Sequence, residues 1–149
     1  DKVKLLEFFL KARTKTYASG GGKVIPVFPE LHQLEFSEGE WLYRDIYNMG
    51  NGIFMGLETA YFQNKPVLSV SYLGNFSKMT EEEADKILRE ALMEKWDRTR
   101  LWYKTELEKN NYRYVCDGSG SINEFFGTEK IFNEKSEIYH LYFAGALIW

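Results

Sequence analysis

Apolar residues recur at helical spacing in two segments of the chain. The first segment predicts an amphipathic helix over about residues 2–16, and the second predicts one over about 81–96. Thr80 and Glu83 have the spacing of a capping box, which fixes the start of the second helix. The apolar positions are Val3, Leu6, Phe9 and Leu10 in the first helix, and Ala84, Ile87, Leu88, Ala91, Leu92 and Trp96 in the second.

Each predicted helix is followed by four stretches with the composition of β-strands, separated by turn residues. The first four strands are predicted at about 33–37, 40–47, 53–62 and 66–73, and the second four at about 101–108, 112–117, 122–133 and 137–144. Turns are expected at 38–39, 48–52, 64–65, 110, 118–120 and 135–136. The order is therefore helix, four strands, helix, four strands.

The motif Phe-x-Gly-x-Glu occurs once in each half of this pattern. The same spacing of 71 residues separates Gly56 from Gly127 and Glu58 from Glu129. Fixed spacing of this kind indicates a duplicated unit. We therefore predict a single α+β domain over 1–149, made of two repeats at about 2–76 and 78–149. Its fold would be a strongly curved antiparallel sheet or an incomplete barrel with two packed helices. The two mid-strand glycines would mark a bend, a bulge or the close approach of another backbone.

Composition limits the function without naming it. The chain has 149 residues, of which 17% are aromatic, and this fraction predicts a large core, a lined cavity or an interface. Its net charge of -3 argues against a nucleic-acid surface. No apolar run reaches the ~20 residues of a membrane span. Cys116 is the single cysteine, so no internal disulfide can form, and we expect a cytoplasmic protein.

Alternation along the strands sorts the side chains into faces. Trp41, Tyr43 and Asp45 share one face of their strand, and Glu58 and Glu129 each lie among apolar neighbours. If the polar and aromatic sets of all strands converge, they line one cavity. The candidate ligand-binding residues are then Trp41, Tyr43, Asp45, Glu58, Tyr114, Glu129, His140 and Tyr142.

The two glutamates have two interpretations of equal weight. They either contact a ligand or bond to tyrosine hydroxyls and backbone amides to fix the duplicated fold. Positions where the halves differ are the better candidates for specialisation, and these are Asp45 against Cys116 and His140 against Ser69. The sequence holds no dinucleotide, hydrolase or metal-ligand motif, so we predict no metal site and no cofactor.

Several short motifs together resemble an uncharacterised family of bacterial domains of unknown function. They are Tyr43-x-Asp45-x-Tyr47, Phe54-x-Gly56-x-Glu58, Tyr72-x-Gly74, Tyr114, Phe125-x-Gly127-x-Glu129 and Tyr142-Phe143-Ala144-Gly145. The resemblance covers nearly the whole chain. Some members of that family follow a helix-turn-helix domain, which would imply a sensor or accessory role for this one.

Three functions fit these observations. The first is a non-enzymatic domain that binds a small molecule in a polar-aromatic pocket. The second is an enzyme that uses Glu58 and Glu129 as a paired acid and base. The third is a protein-interaction domain whose aromatic residues and last strand, near Leu147, Ile148 and Trp149, contact a partner, which includes a second copy of the chain.

Overall fold

The computed structural model describes residues 1–149 and contains two α-helices, one 3-10 turn and eight strands. The 3-10 turn covers Tyr17–Ser19. The helices are α1 (Lys2–Lys15) and α2 (Glu81–Glu94). The strands are β1 (His32–Glu38), β2 (Trp41–Gly50), β3 (Ile53–Phe62), β4 (Lys65–Asn75), β5 (Lys104–Lys109), β6 (Tyr112–Ser121), β7 (Glu124–Asn133) and β8 (Ser136–Leu147).

All eight strands form one antiparallel sheet in the order β1-β2-β3-β4-β8-β7-β6-β5. Each group of four strands is a meander, and the two meanders join where β4 pairs with β8. Strands β1 and β5 are the edges and do not pair with each other, so the sheet is open. The predicted class, with two helices and an antiparallel sheet of eight strands, is confirmed.

Both helices start at capped ends. Asp1 accepts a hydrogen bond from the amide of Val3 at the start of α1. The capping box predicted for α2 is present, because the Thr80 hydroxyl accepts from the Glu83 amide at 3.1 Å while Glu83 accepts from the Thr80 amide at 3.4 Å. Neither helix has the length and apolar character needed to cross a membrane.

The core lies between the helices and one face of the sheet, which we name the inner face. Phe9 of α1 packs against the ring of Tyr43 with ring centroids 5.6 Å apart. Leu88 of α2 belongs to the same cluster of buried side chains, as do Val70 and Leu141 from the two central strands. The inner face thus carries most of the buried residues of the strands, and the opposite, outer face has no helix packed on it.

Strand β6 corrects one predicted turn. Residues 118–120 were expected to form a turn because they read Gly-Ser-Gly, but β6 continues through them to Ser121 and the turn falls at 122–123. A Cβ on Gly118 would lie 1.8 Å from the carbonyl oxygen of Leu101. This glycine therefore serves the close approach of another segment rather than a turn.

The irregular positions of the sheet are also not at the motif glycines. Register shifts occur between Ala60 and Tyr61 in β3 and between Ile131 and Phe132 in β7. Gly56 and Gly127 instead lie in regular pairing, opposite Tyr72 and Phe143 of the neighbouring strands. Neither glycine is therefore at a bulge, and the close approach of another backbone, the third predicted alternative, is present: a Cβ on Gly56 would lie 2.4 Å from the carbonyl oxygen of Ile46.

Candidate functional site

Buried carboxyl groups occupy the inner face at two places. Asp45 of β2 lies directly opposite Glu58 of β3, and Cys116 of β6 lies directly opposite Glu129 of β7. Directly opposed residues project to the same side of a sheet. All three carboxyl groups therefore point toward the helices, where their side chains are 6%, 3% and 0% exposed in the order Asp45, Glu58 and Glu129.

Glu58 is held by a bidentate ion pair with Arg13 of α1. Both N–H···O distances are 2.8 Å, and the hydroxyl of Tyr43 donates a further hydrogen bond at 2.7 Å. Burial alone would raise the pKa of Glu58, but the charge of Arg13 and the hydrogen bonds from Arg13 and Tyr43 hold that pKa below its ordinary value. The carboxylate is therefore ionised and fully engaged.

Glu129 has the same kind of partners from different elements. Arg100, in the segment between α2 and β5, donates to its two oxygens at 3.0 and 2.9 Å. The hydroxyls of Tyr114 and Tyr139 donate to the same carboxylate. Burial would lower the pKa of Arg100, but the charge of Glu129 raises it well above its ordinary value.

The two ion pairs are joined through the backbone. The Arg13 guanidinium donates to the carbonyl oxygen of Thr99 at 3.0 Å and to that of Arg100 at 3.3 Å. Helix α1, the segment before β5 and both meanders are thereby connected by one buried polar network. Its function within the molecule is structural, because every donor of Arg13 and both glutamates have partners inside the protein.

Asp45 differs from the glutamates because no arginine pairs with it. Its Oδ1 accepts a hydrogen bond from the hydroxyl of Tyr72 at 2.5 Å, whereas Oδ2 accepts none from the protein and is not sealed from solvent. Burial, together with the nearby charge of Glu58, raises the pKa of Asp45 to about 7, against the hydrogen bond from Tyr72 and the charges of Arg100 and Arg13. A group that titrates near neutral pH therefore lies in the interior.

Gly56, the glycine of the first motif, leaves the space that the contact between Asp45 and Tyr72 needs. A Cβ on Gly56 would lie 2.6 Å from the Tyr72 hydroxyl oxygen, which is closer than real Cβ atoms come. The ring of Phe54 similarly covers Gly74, where an added Cβ would lie 2.2 Å from the ring. Tyr72 of β4 therefore packs over Gly56 of β3, and Phe54 of β3 packs over Gly74 of β4. This packing places the Tyr72 hydroxyl beside Asp45.

A cavity lies over Asp45, between the inner face and α2. Its empty space is ≈ 580 Å³, which includes its open mouth. Polar groups at its wall include Asp85, which accepts from the Tyr17 hydroxyl at 2.6 Å, and Arg89, which donates to the Tyr17 carbonyl at 3.1 Å. The lining residues are Tyr17, Asp45, Tyr47, Met49, Phe54, Tyr72, Phe76, Glu81, Ala84, Asp85, Leu88, Arg89 and Arg100.

The structure brings together only some of the eight candidate residues. Asp45 lines the cavity, while Tyr43, Glu58, Tyr114 and Glu129 lie in the buried network beneath it. Trp41 lies in the α1 core, where its ring is 5.4 Å from that of Phe8 and 4.6 Å from that of Phe62.

His140 and Tyr142 are on the outer face, contrary to the predicted convergence. They lie opposite Lys130 and Thr128 of β7, whereas the neighbouring Leu141 lies opposite Glu129. Tyr142 is 55% exposed. Alternation had correctly separated His140 and Tyr142 from Leu141, but it could not say which face of β8 continued the face of Glu129. The inner face of β8 supplies Tyr139 in their place.

Several residues of the site were not predicted. Arg13 follows Phe9 by four positions, so helical spacing already places it on the apolar face of α1, where a charge needs a partner. Glu81, Asp85 and Arg89 follow one another at intervals of four along α2 and face the cavity together. Arg100 has no comparable signal, because it lies in a segment without a periodic pattern and at a backbone φ of 52°.

Comparison with known families gives one match. Residues 45–148 match the family described as a domain of unknown function, DUF5680. This finding confirms the resemblance to an uncharacterised domain family. The chain matches no curated protein and no solved structure.

Proposed function

The chain belongs to the DUF5680 family of domains of unknown function, and from the geometry of its cavity we propose that it is a non-enzymatic domain that binds a small molecule between α2 and the inner face. The lining combines aromatic and aliphatic side chains with a few polar groups that converge on one place, which is the usual composition of ligand sites. Of the candidate residues, Asp45 would contact the ligand directly.

One observation carries the proposal: Asp45 is 6% exposed, yet its Oδ2 has no hydrogen-bond donor within the protein. Oδ2 is not sealed from solvent, and a carboxylate oxygen that has no donor in the protein can accept a hydrogen bond from a bound molecule. Since Asp45 lines the cavity, a bound molecule is well placed to supply the missing donor.

A comparison of the two meanders supports a specialised role for the first. We infer that the halves are copies of one unit, because β2 and β6, and likewise β3 and β7, begin and end 71 residues apart. In the second half, Cys116 and Phe143 stand at the positions of Asp45 and Tyr72, and Gly118 stands at the position of Tyr47. There the backbone of Leu101 approaches Gly118. The place of the Tyr47 side chain is thus taken by the backbone of Leu101 in the second half, so only the first half has the aromatic wall that Tyr47 provides.

The sensor or accessory role implied by the family resemblance fits this proposal. A sensor or accessory domain in the bacterial cytoplasm, following a helix-turn-helix domain in some relatives, would use such a cavity to detect a metabolite. An enzyme with Glu58 and Glu129 as acid and base has less support. Each of these carboxylates is already held by an arginine and by at least one tyrosine hydroxyl.

A metabolite screen by thermal denaturation tests the proposal. We expect at least one compound to raise the melting temperature of the wild type, because binding to the folded state alone stabilises it by about 2.7 kcal/mol at a hundred times Kd. Ala84→Leu adds three carbons to the cavity wall and should abolish the shift. Glu82→Leu adds the same side chain to an exposed position in the same turn of α2 and should leave the shift unchanged.

Two results would contradict small-molecule binding at this cavity. In the first, no compound stabilises the wild type across a broad library of metabolites. In the second, the hits stabilise Ala84→Leu as strongly as they stabilise the wild type, which would locate binding elsewhere.

A second candidate function is association through the outer face, as in a homodimer. Met55, Leu57, Phe126 and Tyr142 are each about half exposed there. The strand register aligns Leu57 and Phe126 in one row across Ser71 and Ala144. Such a patch is typical of protein-interaction surfaces.

We expect light scattering to show a concentration-dependent dimer. Leu57→Asp should disrupt this dimer, and Lys104→Asp, on the edge strand β5, should leave it intact. A wild-type monomer at every concentration tested would remove the homodimer.

A further inference from the structure

The charges buried beneath the cavity do not balance. Three carboxyl groups, those of Asp45, Glu58 and Glu129, face the interior, and two guanidinium groups, those of Arg13 and Arg100, face them. Each arginine is committed to one glutamate by a pair of hydrogen bonds. Asp45 is therefore the buried acid that lacks a cation of its own, and its one hydrogen bond comes from a neutral hydroxyl.

The cavity wall has the same excess of negative charge. Apart from Arg100, whose charge is matched by Glu129, it carries the carboxyl groups of Asp45, Glu81 and Asp85 and one guanidinium, that of Arg89. Arg89 is itself occupied, because its Nε donates to the Tyr17 carbonyl and its guanidinium lies 5.1 Å from the centre of the Tyr17 ring. The field in the cavity therefore favours a cation over an anion.

Aromatic rings supply the rest of the lining. Tyr47, Phe54, Tyr72 and Phe76 border the cavity together with Met49 and Leu88. The faces of such rings attract organic cations, most strongly where water is excluded. A carboxylate among aromatic rings is thus suited to an ammonium group attached to an apolar body.

We propose that the ligand carries a protonated amine that pairs with the Asp45 carboxylate and has an apolar body that contacts the aromatic wall; this inference rests on the proposed function of the cavity. The empty space of the cavity is ≈ 580 Å³ including its open mouth, a size that small-molecule sites commonly have. A metal ion is a poorer fit, because no cluster of three or more His, Cys, Asp or Glu side chains is arranged to hold one.

The amine head group can be tested with matched probes on the full chain at pH 8, where most Asp45 is ionised. Benzylamine, benzyl alcohol and benzoate share a ring and differ in charge, and butylamine, butanol and butyrate form the aliphatic counterpart. Binding is followed by backbone amide shifts in NMR spectra. We expect each amine to bind at least tenfold more tightly than its alcohol, with shifts at β2, β4 and α2, and each carboxylate to bind more weakly than the alcohol.

Asp45→Asn provides the matched variant, because it keeps the shape of the side chain and removes its charge. Its preference for amine over alcohol should fall below about twofold. Glu82→Gln, an exposed change on α2, should retain the full preference. If Asp45→Asn does not fold, the comparison of probes on the wild type still decides the question.

The outcomes separate this inference from the proposed function. If the alcohol binds at the cavity as tightly as the amine, or if the carboxylate is preferred, the cavity is a binding site but the amine is wrong. If Asp45→Asn retains the amine preference, Asp45 is not the counter-ion. If no probe shifts the amides of β2, β4 or α2 and the metabolite screen also finds no ligand, both proposals fail.

Discussion

Replacement of Glu129 with Gln is expected to lower the free energy of unfolding by about 3–5 kcal/mol, the cost of removing one partner from a buried ion pair. The change keeps the size of the side chain but removes its charge. It leaves the buried guanidinium of Arg100 without a counter-ion and weakens the bonds from Tyr114 and Tyr139. Urea unfolding monitored by circular dichroism measures the loss.

The matched control is Glu137→Gln in the same meander. Glu137 pairs with Lys130 at 3.1 Å, but both side chains are about 40% exposed, so removing this charge should change the free energy of unfolding by about 1 kcal/mol or less. Equal effects of the two substitutions would mean that the buried network does not stabilise the fold as described.

Much of the sheet could be predicted from the sequence because its signals are local. Alternation and turn residues located all eight strands. The motif spacing of 71 residues is also the offset between β2 and β6 and between β3 and β7. The turns predicted at 38–39 and 64–65 each lie within one residue of the observed turns at 39–40 and 63–64. The ends of β2 and β6 were missed, because their glycines look like turn residues in isolation. Gly118 is needed for contact with Leu101, and a single sequence does not show which distant segment approaches a glycine.

The candidate site was predictable only where the two halves could be compared. Asp45 stood out because Cys116 takes its place in the second half, and Asp45 lies at the cavity. The arginines that pair with Glu58 and Glu129 come from elements without that symmetry, since Arg13 is on α1 and Arg100 lies between α2 and β5. His140 and Tyr142 were grouped with the other candidates incorrectly for a related reason: alternation fixes the faces within a strand, while the pairing of strands decides which faces agree.

The motif glutamates show how one pattern served two interpretations. Glu58 and Glu129 were equally compatible with ligand contact and with bonds to tyrosines. In the structure both glutamates accept hydrogen bonds from tyrosine hydroxyls, and each forms a bidentate ion pair with an arginine. The motif glutamates therefore hold the framework together, and the proposed binding role moves to Asp45, whose place in the second meander is taken by Cys116.

Substitution of Asp45 by Asn is expected to change the pH dependence of stability. The pKa of Asp45 is about 7 in the folded protein, above its ordinary value of 3.8. Between these values the folded state holds a proton that the unfolded chain has lost. The stabilisation from Asp45 is therefore fully present below the lower value and is lost as the pH rises through the upper one, by about 1.4 kcal/mol per pH unit.

Asn does not titrate, so the free energy of unfolding of the wild type relative to Asp45→Asn should fall by about 3 kcal/mol between pH 5 and pH 8. The chosen range leaves Glu58 ionised, because its pKa is lowered and its own contribution is lost only at more acidic pH. Urea unfolding of both proteins at each pH gives the difference. Asp117→Asn, at an exposed position of β6, should preserve the pH dependence of the wild type. A constant difference between the wild type and Asp45→Asn would show that the interior does not hold a proton on Asp45 near neutral pH.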